Sequence, residues 1–228
     1  MAVIHRTTIH PTKLELLTAW LPSRPWYGGD GAPLLEKAGG FRLDDPEGEV
    51  GIEFLVVNDI ASGAAPVTYL APLTYRGAPL DGAEHALVGT MEHGVLGRRW
   101  VYDGCHDPVF TAQLPALIEG RVPAQAQSTS DTEDKDVARS CTGTGPVPTR
   151  FAPATDSADA TDLSAADGTT LRVHRVLRPT APDGSPLPPT ASAGAAAATG
   201  QVTAVWNLPD GTPARGLFCV LHDAAPRA

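Results

Sequence analysis

Residues 87–103 read Leu-Val-Gly-Thr-Met-Glu-His-Gly-Val-Leu-Gly-Arg-Arg-Trp-Val-Tyr-Asp. Leu87 to Glu92 and Arg98 to Tyr102 are strand-length runs, and His93-Gly94-Val95-Leu96-Gly97 between them is a hairpin signal. Upstream, Val50, Ile52, Phe54 and Val56 alternate with Gly51, Glu53 and Leu55, and Val67, Tyr69, Ala71 and Leu73 form the next run. Pro72 interrupts that run. It cannot donate a ladder hydrogen bond, which predicts an edge strand or a bulge there. Arg76-Gly77-Ala78-Pro79 reads as a turn.

Two helices flank this meander. Thr12-Lys13-Leu14-Glu15 is a capping box, with Thr at the N-cap and Glu at N3, and Leu14, Leu17 and Leu21 form one apolar stripe. Pro22 ends that helix, because the residue before proline disfavours the α region. Asp107-Pro108 opens the second helix and Gly120 closes it, with Pro115 inside as an expected kink. Residues 2–9 alternate as a short strand. Residues 170–178 alternate as a strand, and 201–208 and 216–222 form two more, joined through Pro209-Asp210-Gly211, a turn in which Pro presets φ and Gly accepts φ > 0. Sequential strands with two helices and no βαβ rhythm predict an α+β fold with an antiparallel sheet.

Large side chains are unevenly placed. All aromatics except Phe151, Trp206 and Phe218 lie between Trp20 and Phe110, so residues 1–120 are expected to carry most of the core. Residues 121–169 are Ala, Ser, Thr, Asp, Gly and Pro with almost no large apolar residue. Such a stretch buries too little area to offset its ordering entropy, so it reads as a disordered, low-complexity linker. Residues 179–200 read as a Pro/Ala/Gly-rich loop. Residues 170–222 are expected to complete the sheet of residues 1–120.

With 17 Lys+Arg against 26 Asp+Glu, the formal charge of the 228-residue chain is −9. That acid excess argues against nucleic acid, whose phosphates require a basic face. No stretch approaches the roughly 18 apolar residues of a membrane span, and no signal peptide is visible, so a cytoplasmic location is expected. Cys105, Cys141 and Cys219 do not suggest a disulfide framework.

The candidate chemistries are weak. Cys105-His106-Asp107 contains the residue types of a nucleophilic trio, but adjacent side chains point different ways and Asp107 is already needed as an N-cap. His85, His93, Cys105 and His106 lack the paired spacing of a zinc site, so no metal is expected. Gly28-Gly29-Asp30-Gly31 and Gly143-Thr144-Gly145 run into Pro33 and Pro146 rather than a helix start, and read as turns. A kinase-type catalytic loop needs Asn a few residues beyond a His-x-Asp, and neither Asn58 nor Asn207 is so placed. Trp20, Trp26, Tyr27 and Trp100 stand out, with Arg24-Pro25-Trp26-Tyr27-Gly28-Gly29 setting aromatics beside Arg and Gly. They could anchor a partner or stack on a sugar, although aromatics of this kind more often serve as core.

Leu14-Glu15-Leu16-Leu17-Thr18-Ala19-Trp20-Leu21-Pro22-Ser23-Arg24-Pro25-Trp26-Tyr27-Gly28-Gly29 resembles the opening of the N-terminal cap domain of actinobacterial maltokinases. The resemblance continues through 50–58, 69–80, Leu87-Val88-Gly89-Thr90, Leu96-Gly97-Arg98-Arg99-Trp100-Val101-Tyr102-Asp103 and Asp107-Pro108-Val109. It implies a curved antiparallel sheet packed by helices, cystatin-like in outline. In that family the cap precedes a kinase-like body that phosphorylates maltose with ATP and feeds α-glucan synthesis. The motifs of that body are not found here, so no catalytic residue and no cofactor is carried over. The resemblance implies a non-catalytic accessory of trehalose, maltose and α-glucan metabolism that docks on a sugar kinase or glucan-building enzyme. Arg24, Trp26, Tyr27, Arg98, Arg99 and Trp100 are the matched positions expected to shape its surface. The other expectations are a sugar- or glucan-binding module, or a subunit of an ATP-dependent sugar kinase active only in complex.

Overall fold

The computed structural model describes residues 8–61, 66–129, 131–143, 145–180 and 198–224. In chain order it contains β1 (Ile9–His10), α1 (Lys13–Trp20), a 3-10 turn at Leu21–Ser23, β2 (Leu35–Leu43), β3 (Gly51–Asp59) and β4 (Val67–Arg76). A 3-10 turn at Glu84–Ala86 precedes β5 (Leu87–His93) and β6 (Gly97–Asp103), and another at Gly104–His106 precedes α2 (Pro108–Glu119). Then follow β7 (Gln125–Ala126), β8 (Ala138–Cys141), β9 (Thr155–Asp156), β10 (Ala160–Ser164), β11 (Thr170–His174), β12 (Val176–Leu177), β13 (Ala198–Asn207) and β14 (Pro213–His222). The result is mostly antiparallel sheet with two short α-helices. Among the described residues no helix is long and apolar enough to cross a membrane.

The start of α1 follows from its capping box. Glu15 N–H donates to Thr12 Oγ1 at 3.2 Å, and Thr12 N–H donates to Glu15 Oε2 at 2.7 Å. These bonds satisfy two helix-end donors and hold the Glu15 carboxyl below its usual range. Leu17 and Leu21 are fully buried, and Pro22 falls where the chain tightens into the 3-10 turn. The second helix begins on Asp107, whose carboxylate accepts from Val109 N–H, and ends on Gly120 at φ 77°.

The strands run in the order β1-β5-β6-β4-β3-β2-β13-β14-β11-β10-β9. The segment carrying β11 does not stay at one side. β11 lies on β14, while β12, just beyond Arg175, lies on β4 through Val176 and Leu177. The pairings β4–β3–β2–β13–β14–β11/β12–β4 therefore form a closed circuit. On its other flank β2 meets β13 through Gly39 and Trp206, next to a register shift. Gly40 is needed there: at φ 123°, a Cβ would overlap the Phe54 carbonyl oxygen.

Strand β3 is buried on both faces. Ile52, Phe54 and Val56 face a core shared with Phe41, with Phe110, Leu114 and Leu117 of α2, and with Val202, Trp206 and Phe218 of the C-terminal strands. Phe41 and Phe54 stack at 4.3 Å, and Phe110 lies 5.1 Å from Phe54. Leu55 and Val57 face a second core with Leu17, Trp20 and Leu21, Trp26, Tyr69, Met91 and Val101. Burial of each such large side chain contributes about 1.5–3 kcal/mol.

Several expectations are corrected. Residues 121–169 are not a disordered linker: β7, β8, β9 and β10 lie there, and Val147, Ala160, Thr161 and Leu163 are buried. Small residues suffice because the strands pair with neighbours that carry apolar side chains, β13 for β8 and β11 for β10. Residues 170–178 are not one strand, since the chain bends at Arg175 and changes partner. Pro72 is not at a sheet edge, because β4 is an inner strand. It lies between the part of β4 paired with β6, ending at Leu73, and the part paired with β12, at Thr68 and Tyr69. Leu70 N–H points away from β3, to Arg175 O, so position 72 two residues on points into the gap where no donor is missed. Of the strand expected at 2–9, residues up to 7 lie outside the described residues, and so do 181–197 of the loop expected at 179–200.

Candidate functional site

A cleft of about 400 Å³ opens at the start of β3. The N-terminus of α1, the β2–β3 turn, the end of β4, the β5–β6 hairpin and Gln127 wall it. Glu53 sits at its base, 3% exposed. An ionised carboxylate tolerates such burial only with partners, and Glu53 has three. Lys13 Nζ lies 2.6 Å from Oε2, Gln127 Nε2 donates to Oε1 at 3.1 Å, and the Tyr75 hydroxyl donates to Oε2. Lys13 also rides 5.2 Å over the Tyr75 ring. Burial, and then the neighbouring Glu53 charge, push the Tyr75 phenol well above its ordinary pKa, so it remains a donor.

The β2–β3 turn that forms the outer wall is tied by Asp45. Its carboxylate accepts from the backbone N–H of Glu47, Glu49 and Val50 at 3.1, 3.0 and 2.9 Å. This Asx-type arrangement fixes the backbone of Glu49 beside the cleft.

The six expected surface residues separate into two groups. Arg24, Trp26 and Tyr27 lie near the end of β3, and Arg98, Arg99 and Trp100 lie on β6. Tyr27 donates to Gly31 O at 2.8 Å and contacts Asp59 at 3.2 Å, whereas Arg99 lines the cleft with Glu53. Asp59 and Glu53 are six strand residues apart, about 20 Å, so the two groups do not make one site. Trp26 is 1% exposed and packs on Trp20 and Tyr69, which leaves it no surface to offer. Arg24 folds its guanidinium over Trp20, 4.9 Å from the ring. Burial, and then the Asp59 charge, raise the Tyr27 phenol to about 12. Trp100 is half-buried against the small core of Ala83, Ala86 and Tyr102, with Arg98 5.4 Å over its ring. At the hairpin tip Val95 and Leu96 are 60% and 45% exposed.

Cys105, His106 and Asp107 point to three different places. Cys105 is buried, and desolvation raises its thiol far above the normal range. His106 meets His85 at 3.1 Å, and burial lowers its pKa. Asp107 caps α2 and binds Arg76 at 2.7 and 2.6 Å. Among the described residues no group of three His, Cys, Asp or Glu could hold a metal ion. Gly28 N–H donates to the Tyr69 hydroxyl at 3.1 Å, as part of a turn. In the other glycine turn Thr144 is outside the described residues.

Two charged residues central to the structure carried a signal that periodicity alone does not weigh. Glu53 falls among apolar neighbours on the Leu55–Val57 face of β3, and Arg175 falls in the inward register of Leu171, Val173 and Leu177. A charge in an apolar register marks a buried partner. For Arg175 it is Asp103, at 2.8 and 2.7 Å, with Thr161 Oγ1 at 2.7 Å and the Trp26 ring 5.1 Å away. Burial is the largest influence and opposes the guanidinium charge, but Asp103, Cys105 and Asp156 together outweigh it and raise the pKa.

Comparison with curated proteins finds no match. Residues 20–107, from the end of α1 to the cap of α2, match the family model of the maltokinase N-terminal cap domain, so the resemblance read from the Leu14–Gly29 and Leu96–Asp103 runs holds from residue 20 onward.

Proposed function

We propose that this chain serves as a non-catalytic, maltokinase-type cap in the cytoplasm, docking on a sugar kinase or glucan-building enzyme of maltose, trehalose and α-glucan metabolism. The observation that carries this reading is the match of residues 20–107 to the maltokinase cap domain. A cap acts through its surface, and the β5–β6 hairpin supplies one. Val95 and Leu96 project at its tip, next to the cross-strand pair Glu92 and Arg98, so an apolar tip is bordered by one charge of each sign. Such a tip fits an apolar pocket on a partner, where the apolar contact holds it.

The test combines the purified chain with the purified catalytic body of a maltokinase from which the cap has been removed. Calorimetric binding in the micromolar range is expected, with a change in the maltose phosphorylation rate. The pair Val95→Asp and Leu96→Asp should weaken binding at least tenfold while leaving the melting temperature unchanged. A heat signal indistinguishable from buffer, or full binding by the double variant, overturns the reading.

A further inference from the structure

We infer that the cleft around Glu53 is a binding site for a small, neutral, polyhydroxylated ligand of saccharide type. The cleft is the size of small-molecule sites, which span roughly 300–1,000 Å³, and its charges are balanced. Lys13, Arg42 and Arg99 face Asp45, Glu49 and Glu53 across about 400 Å³. An anion would gain from three cations and lose to three carboxylates, inside a chain already at −9. A cation meets the same cancellation. A ligand with many hydroxyls, each both donor and acceptor, pairs with Lys13, Arg99 and Glu49 at this cleft without bringing a charge of its own.

The polar groups at the base of the cleft are held in place before any ligand arrives. Glu53 is fixed by Lys13, Tyr75 and Gln127, and a carboxylate with about four acceptor positions keeps one after three bonds. Lys13 Nζ gives one proton to Glu53 and keeps others, with its side chain 34% exposed. The backbone of Glu49 is set by the Asp45-tied turn, while its side chain is exposed. Glu53 and Lys13, locked together at the base, lose little freedom on binding. Lys13 and Gln127 both lie outside the family-matched residues 20–107, so the clamp on Glu53 is completed by parts of this chain beyond the match. The cleft shares Leu96 of the β5–β6 hairpin with the docking tip, but the inference does not depend on the docking reading.

Saturation-transfer NMR and calorimetry on the full chain, with glucose, maltose, trehalose, inorganic phosphate and spermidine as probes, test the inference. At least one saccharide is expected to bind with a millimolar or tighter Kd, and phosphate and spermidine at least tenfold more weakly. Arg99→Ala and Glu49→Ala should each weaken saccharide binding at least fivefold. Neither side chain is in the core, so near-ultraviolet circular dichroism and melting should stay as in the parent. Absence of saccharide binding, tighter binding of phosphate or spermidine, or undiminished binding in both variants overturns it.

Discussion

Arg175 connects parts of the chain far apart in sequence. Its guanidinium, fully buried, meets Asp103 at the end of the family-matched hairpin and Thr161 in the segment whose composition suggested a linker. Removing one member of a buried ion pair strands the other charge, at a cost of about 3–5 kcal/mol. Arg175→Met should therefore lower the unfolding free energy by about that amount in urea titrations. Adding Asp103→Leu should return most of the loss, because two apolar groups then replace two buried charges. A double variant no more stable than the single one would show that the ion pair's charge is not what matters. Only half of this pair was legible. Asp103 stands in the run that carries the family resemblance, whereas Arg175 looks like one more polar residue of an alternating strand. The alternation places it inward but does not say which acid, 72 residues away, will meet it.

Elements show how far local rules reach. The capping box at Thr12, the N-cap at Asp107 and the αL glycine at 120 all form as their residues dictate, since each depends on backbone groups within a few residues. Thr12→Ala should lower stability by about 1 kcal/mol, the usual cost of losing such a cap. The loss should appear as faster amide exchange in the first turn of α1, and unchanged exchange there would separate α1's stability from its cap. Pro72 marks where local rules stop. Its missing donor was legible, but neither an edge strand nor a bulge follows from it, because the donor it lacks faces a gap between two different neighbours, β6 and β12. Whether such a gap exists depends on a bend at Arg175, a hundred residues downstream.

At the scale of the molecule, the closed circuit of pairings makes the N-terminal and C-terminal strands depend on each other. Phe54 stacks with Phe41, and Phe218 covers Phe41 at 5.8 Å from the C-terminal hairpin. A chain ending after residue 120 would expose that face of β2 and β3 and leave Asp103 buried without Arg175. Such a fragment is expected to show no cooperative thermal transition in calorimetry, whereas the full chain shows one. Cooperative melting of the fragment would show that residues 1–120 hold their own core. The same dependence shapes the cleft, whose base comes from β3 while its clamp comes from Lys13 and Gln127. No spacing rule could gather those three residues, since they are brought together by α1 packing against the sheet and by β7 pairing with β2.

The sequence by itself determined the two helices with their caps, the β5–β6 hairpin, the alternating strands and the likeness to a maltokinase cap, because these rest on propensity, periodicity and neighbours a few residues apart. Only the tertiary structure decided that residues 121–169 hold strands, that β11 and β12 serve opposite ends of one circuit, and that Glu53 and Arg175 are buried with partners. Those outcomes depend on non-local pairing, in which a poorly apolar segment is ordered by surfaces that exist only once the rest of the chain has folded.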